Sequence, residues 1–75
     1  MTLDEFVSAF AAEFDETPED QFKGDTEFKA LDEWSSLTAL SIIAMVDEQM
    51  DKTITGADIR ASKTIEDLFN LANSK

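Results

Sequence analysis

Trp34-Ser35-Ser36-Leu37-Thr38-Ala39-Leu40-Ser41-Ile42-Ile43-Ala44-Met45-Val46 is the stretch that decides the fold. Either serine can cap a helix, because a side-chain oxygen there accepts one of the otherwise unpaired first backbone N–H groups. From Leu37 onward nearly every face is apolar, and the pattern predicts a helix to about Gln49 or Met50. Such a helix is the central member of a bundle, or it offers part of its apolar surface to something else. The apolar run is far short of the roughly 20 residues that cross a bilayer, so no membrane insertion is expected.

Upstream lies a long acidic connection, Asp15 to Ser35, punctuated by Pro18 and Gly24 and carrying Asp15, Glu16, Glu19, Asp20, Asp25, Glu27, Asp32 and Glu33. Loops of about 20 residues are uncommon in compact domains, so Phe22, Phe28 and Leu31 are expected to pin this one onto a core. Before it, Thr2 and Glu5 form a capping-box pattern. Leu3, Phe6, Val7, Phe10, Ala11 and Phe14 then recur at three- and four-residue steps, predicting an amphipathic helix from Leu3 to Phe14 whose phenylalanines are core.

Downstream, Ile54-Thr55-Gly56 reads as a turn. Thr55 with Asp58 opens a short helical segment ending near Ala61, and Thr64 with Asp67 opens a last amphipathic helix through Ile65, Leu68, Phe69 and Ala72. Repeats, linkers and sustained β-alternation are all absent. The expected fold is all-α: one domain over residues 1–75, a small four-helix bundle of three longer helices and one short one.

Composition narrows the function. Seventeen acidic residues against six basic give a net charge of −11, which argues against a nucleic-acid backbone or an anionic membrane and favours basic partners. With 43% hydrophobic residues the chain is expected to fold despite that charge. There is no cysteine and no histidine, which removes disulfides, thiol catalysis, zinc-finger spacing and an imidazole base. The chain is therefore not expected to be an enzyme. Met1-Thr2-Leu3-Asp4-Glu5 lacks the basic-then-apolar order of a secretory signal, so a cytoplasmic location is expected.

The chemistry-bearing residues are Asp32-Glu33-Trp34-Ser35-Ser36-Leu37, where the acidic connection meets the most apolar helix. A serine at such a junction is exposed, and the helix N-terminus stabilises a nearby anion. Serine before a helix is most often just a cap. The chain as a whole, however, resembles the acyl carrier protein family. That family carries an Asp-Ser-Leu core, often preceded by tryptophan, then Leu-x-x-Leu-x-x-x-x-x-Glu. The counterparts are Trp34-Ser35-Ser36-Leu37, Leu40, Ile43, Asp47 and Glu48. The register continues through Ile54-Thr55-Gly56-Ala57-Asp58-Ile59 and Lys63-Thr64-Ile65-Glu66-Asp67-Leu68.

The resemblance implies that a phosphopantetheinyl transferase attaches 4'-phosphopantetheine from coenzyme A to Ser36, and that the arm then carries acyl groups as thioesters. Ser36 would be an acceptor and not a catalytic nucleophile, and no histidine stands ready to activate it. Leu37, Asp47 and Glu48, with Ile54, Trp34 and Glu33, would face acyl-loading and acyl-processing enzymes that have basic docking surfaces. Fatty-acid, polyketide, aminoacyl or polysaccharide pathways would all use the scaffold, as a monomer. Core packing is the safer account of Leu40, Ile43, Val46, Ile59 and Phe69, although a loosely filled core among them could double as a shelter for an acyl chain.

Two departures stand out. Ser35 occupies the usual aspartate position, leaving Asp32 and Glu33 to replace its charge in part. Ser36 is preferred over Ser35 as the attachment site because it directly precedes Leu37 and keeps every downstream match in register. Thr38 and Ser41 replace acids often found near the start of this helix in members serving fatty-acid synthesis, which leans the reading toward a specialised pathway.

Two other readings compete. Asp51-Lys52-Thr53-Ile54-Thr55-Gly56 imitates the opening of a calcium loop, but Ser62 stands where a bidentate glutamate belongs. The broader alternative is an unmodified acidic helical module that binds a basic partner.

Overall fold

The computed structural model describes all of residues 1–75, and the chain is entirely helical, without a strand. α1 spans Leu3–Ala11, α2 Ser36–Met50, α3 Gly56–Ala61 and α4 Ile65–Asn73. Two single 3₁₀ turns, Glu19–Gln21 and Phe28–Ala30, interrupt the long connection between α1 and α2. The bundle is therefore three longer helices and one short one.

Threonine starts three of the four helices. Thr2, Thr55 and Thr64 each accept the backbone N–H three residues on, while Glu5, Asp58 and Asp67 reach back to the cap's own N–H. Each reciprocal pair satisfies two donors that the helix geometry leaves unpaired. At α4 two further donors are met by tertiary partners, Ile65 N–H on the Thr26 carbonyl at 3.1 Å and Glu66 N–H on the Gly24 carbonyl at 2.8 Å. This ties the acidic connection to the last helix. A side chain at position 24 would meet Leu3 Cδ2 at 3.1 Å, so glycine permits that approach.

α1 stops at Ala11, earlier than its apolar stripe. The Glu13 and Phe14 N–H groups bond three residues back, to Phe10 and Ala11, and the tightened turn leaves the helix. Phe14 stays buried because the turn swings it over Phe10, with ring centroids 5.7 Å apart. α2 ends at Asp51, the one non-glycine residue with positive φ (55°), in the left-handed conformation that closes many helices.

Five of the six phenylalanines, Phe6, Phe10, Phe14, Phe22 and Phe28, are buried together with Ile42, Met45, Val46, Ile54, Ile59, Ile65 and Leu68. Phe10 is the hub. Its ring lies 5.3 to 6.5 Å from those of Phe6, Phe14, Phe22, Phe28 and Trp34. Burial of one such side chain stabilises the fold by about 1.5–3 kcal/mol, so Phe22 and Phe28, together with the hydrogen bonds to α4, help hold an otherwise irregular connection in place. Phe69 packs on Phe6 at 5.2 Å and joins α4 to α1.

Leu40, expected among the packed residues, is 62% exposed, and Leu37, expected as a partner contact, is 77% exposed. α2 is apolar around most of its circumference, but the bundle covers only the side carrying Ile42, Met45 and Val46. No helix is long and apolar enough to cross a membrane.

Candidate functional site

The aromatic cluster extends to the start of α2. Trp34 stands edge-on to Phe28 at 5.0 Å and parallel to Phe10 within 4°. An anchored indole at position 34 fixes where the next two residues emerge, and the structure separates their roles. Ser35 is extended and caps α2: its Oγ accepts the Thr38 N–H at 3.3 Å and lies 3.2 Å from the Thr38 hydroxyl. The Thr38 hydroxyl also lies 3.1 Å from the Glu33 carbonyl, to which it can donate. Ser36 is the first residue of the helix, exposed, and its hydroxyl makes no hydrogen bond within the chain. Of the two serines, only Ser36 has its hydroxyl free.

Ser36 lines a cleft of about 310 Å³ between the connection, α2 and α3. Trp34, Ala39 and Ile59 form its apolar wall, and Lys29 and Arg60 its basic one. Lys29 Nζ donates to the Arg60 carbonyl at 2.9 Å, bracing the two sides. A hollow of similar volume on the other side of Trp34, walled by Glu16, Thr17, Asp32 and Glu33, is acidic and unsuited to an anion.

The expected partner-facing residues divide. Leu37, Asp47 and Glu48 are exposed, and with Leu40 and Ala44 they follow helical spacing along one side of α2. The two acids stand roughly 16 Å from Ser36 along the axis. Trp34 is half-buried and serves the core. Ile54 is 2% exposed and belongs to the hydrophobic core, which corrects its expected place as a contact: an apolar side chain in the turn before α3 gains more from burial than from exposure.

Glu33 also needs correction. Its carboxylate accepts the backbone N–H groups of Asp15, Glu16 and Thr17 at 2.8 to 3.3 Å and the Thr17 hydroxyl at 2.7 Å. Those hydrogen bonds, the Thr17 hydroxyl foremost, hold its pKa below the ordinary carboxylate value. Glu33 therefore ties down the first turn of the connection and is not a free charge for a partner or a substitute for the missing aspartate. Asp32 is exposed.

Val46 and Ile59 are buried in the core, Ile43 and Phe69 pack against it and Leu40 faces solvent, and of these only Ile59 borders the cleft. Around the calcium-like segment, Gly56 begins α3 and the Ser62 hydroxyl is buried, donating to the Asp58 carbonyl at 2.9 Å. No three acidic side chains are grouped so as to hold a metal ion.

The basic wall was missed by sequence reasoning. Lys29 and Arg60 are 31 residues apart and carry no shared motif. Glu33's role had one faint signal: periodicity lapses after Phe14, leaving the N–H groups of residues 15–17 in need of an acceptor. Comparison of the chain with models of protein families, with curated proteins and with solved structures returns no match in any of the three.

Proposed function

We propose that this protein is an acyl carrier of the acyl carrier protein type, which takes a 4'-phosphopantetheine arm on Ser36 and presents acyl groups to separate enzymes, without catalysing a reaction itself. The observation that carries this reading is the division of labour at the start of α2: Ser35 performs the capping, so the Ser36 hydroxyl is left exposed and unpaired. An acceptor must be reachable by another enzyme's active site, and a serine engaged as a cap would have to give up that bond first.

The residues present suit the group. The free hydroxyl borders an open cleft with two cations, and the α2 N-terminus favours a negatively charged neighbour such as a phosphodiester. In the transfer, an O–P bond forms at Ser36 Oγ as the pyrophosphate P–O bond of coenzyme A breaks and adenosine 3',5'-bisphosphate leaves. The hydroxyl proton passes to a base on the transferase, because this chain has no histidine and its only carboxylate hydrogen-bonded next to the site is Glu33, already engaged. Once attached, the arm supplies the thiol that holds acyl groups, which explains how a chain without cysteine can do thioester chemistry.

For docking, Leu37 and Leu40 offer a small apolar centre and Asp47 and Glu48 a negative margin, so a basic partner is steered by charge and held by apolar contact. The reading places a monomer in the cytoplasm with its transferase. The same exposed leucines favour a second reading, an unmodified helical module that binds a basic partner directly.

The test is intact mass after incubation with coenzyme A and a phosphopantetheinyl transferase. Wild type and Ser35→Ala are expected to gain one phosphopantetheine and Ser36→Ala none. Absence of any gain with two different transferases, in variants that circular dichroism shows to be folded, would leave the unmodified module as the reading.

A further inference from the structure

The strongest unassigned feature is the basic wall of the cleft beside Ser36. The chain has six basic residues against seventeen acidic ones, and two of the six border the same cleft as the free hydroxyl. Neither has a carboxylate within ion-pair distance, the one ion pair of the molecule being Lys75 with Asp58. Both side chains line the cleft. Lys29 is tethered through the Arg60 carbonyl at 2.9 Å and leaves two of its three ammonium donors free. Arg60 lies over the first turn of α3, its Nη1 3.4 Å from where a Cβ at position 56 would stand, an ordinary contact distance. In a protein of charge −11, these cations make the cleft an exception to the surrounding negative surface.

We propose that Lys29 and Arg60 form a phosphate-binding subsite for a phosphoryl group carried on Ser36. The ligand class is a phosphate ester on the Ser36 oxygen; under the carrier reading, on which the proposal rests, it is the phosphodiester of the arm. Arginine presents paired donors to two phosphate oxygens, and lysine adds a compact charge from the opposite side. Their grip turns the first segment of the arm into the cleft, against Trp34, Ala39 and Ile59, instead of leaving it free in solvent. The two residues are positioning residues. They do not act on a thioester, and they carry no part of the transfer to Ser36.

The experiment uses the full chain after transferase treatment, with mass first establishing whether Ser36 is modified. If it is, the Arg60 side-chain 15N signal is expected to shift on modification, and the 31P signal to move toward that of a free phosphodiester in Lys29→Gln/Arg60→Gln. The charge-conserving Lys29→Arg/Arg60→Lys should keep the 31P position closer to wild type than Lys29→Gln/Arg60→Gln does, which separates loss of charge from a change of fold. A modified Ser36 with no Arg60 shift overturns the subsite while the carrier reading stands.

If Ser36 is not modified, the carrier reading fails and phosphoserine is installed at position 36 by genetic encoding. A 31P titration midpoint that lies below that of a phosphoserine peptide, and returns to it in Lys29→Gln/Arg60→Gln, upholds the subsite on its own. Equal midpoints overturn it.

Discussion

Ser35 Oγ accepts the backbone N–H of Thr38 at 3.3 Å, and the two hydroxyl oxygens lie 3.2 Å apart. That bond makes adjacent serines inequivalent. Ser35→Ala removes the cap of α2 and is expected to lower stability by about 1 kcal/mol, whereas Ser36→Ala, which removes an unbonded exposed hydroxyl, should change it by less than about 0.5 kcal/mol. Urea denaturation of the two variants checks this independently of any modification. Equal losses would mean that the cap is shared between the serines.

Glu33 makes acid sensitivity local. Its pKa is lower in the folded protein than in the unfolded chain, so the stabilisation is present above the ordinary carboxylate range and is lost as pH falls through the folded value. Glu33→Gln is expected to lower the melting temperature near neutral pH, and the gap from wild type should narrow as the solution is acidified. Thermal melts of both proteins across the acid range test the sign; a gap independent of pH would mean that the charge of Glu33 does not matter.

Phe10 links α1 to the site through Trp34. Phe10→Ala is expected to cost about 3–5 kcal/mol, a large part of what a domain of this size holds in total. Phe10→Leu should be milder and leave the chain folded. Tryptophan emission should shift to the red in Phe10→Leu, because the one indole loses the ring that lies parallel to it. Unchanged emission would show that Phe28 and Phe14 suffice to hold Trp34.

Asp51 closes α2 in the left-handed region and puts a carboxylate at the negative end of the helix. Glycine adopts that conformation freely and removes the charge, so Asp51→Gly is expected to stabilise the protein by about 0.5–1 kcal/mol. Asp51→Asn, which tolerates the same backbone, separates the two contributions in the same denaturation assay.

Asp47 and Glu48 are exposed at the far end of the Leu37–Leu40 stripe. Asp47→Asn/Glu48→Gln should leave stability within about 0.5 kcal/mol of wild type while slowing association with a basic partner enzyme and flattening its salt dependence, since exposed charges act mainly on encounter. Stopped-flow association at two ionic strengths checks it.

The sequence by itself determined the helices, because their signals are local. Thr2 with Glu5, Thr55 with Asp58 and Thr64 with Asp67 announce three starts through bonds spanning three residues, and apolar spacing marks which side of α1 and α4 turns inward. Through the resemblance in register of Leu37 and the segments after it, it also pointed to Ser36, on which the carrier proposal rests. Tertiary structure decided what depends on residues far apart in the chain. It chose which side of α2 is covered, leaving Leu37 and Leu40 in solvent, since apolar residues fall on nearly every face of that helix and periodicity alone does not pick one. It drew Ile54 inside, brought Glu33 to N–H groups 16 to 18 residues away, and set Lys29 beside Arg60. Such placements follow from how an aromatic core closes around the connection, and each reaches its partner only once the bundle has formed.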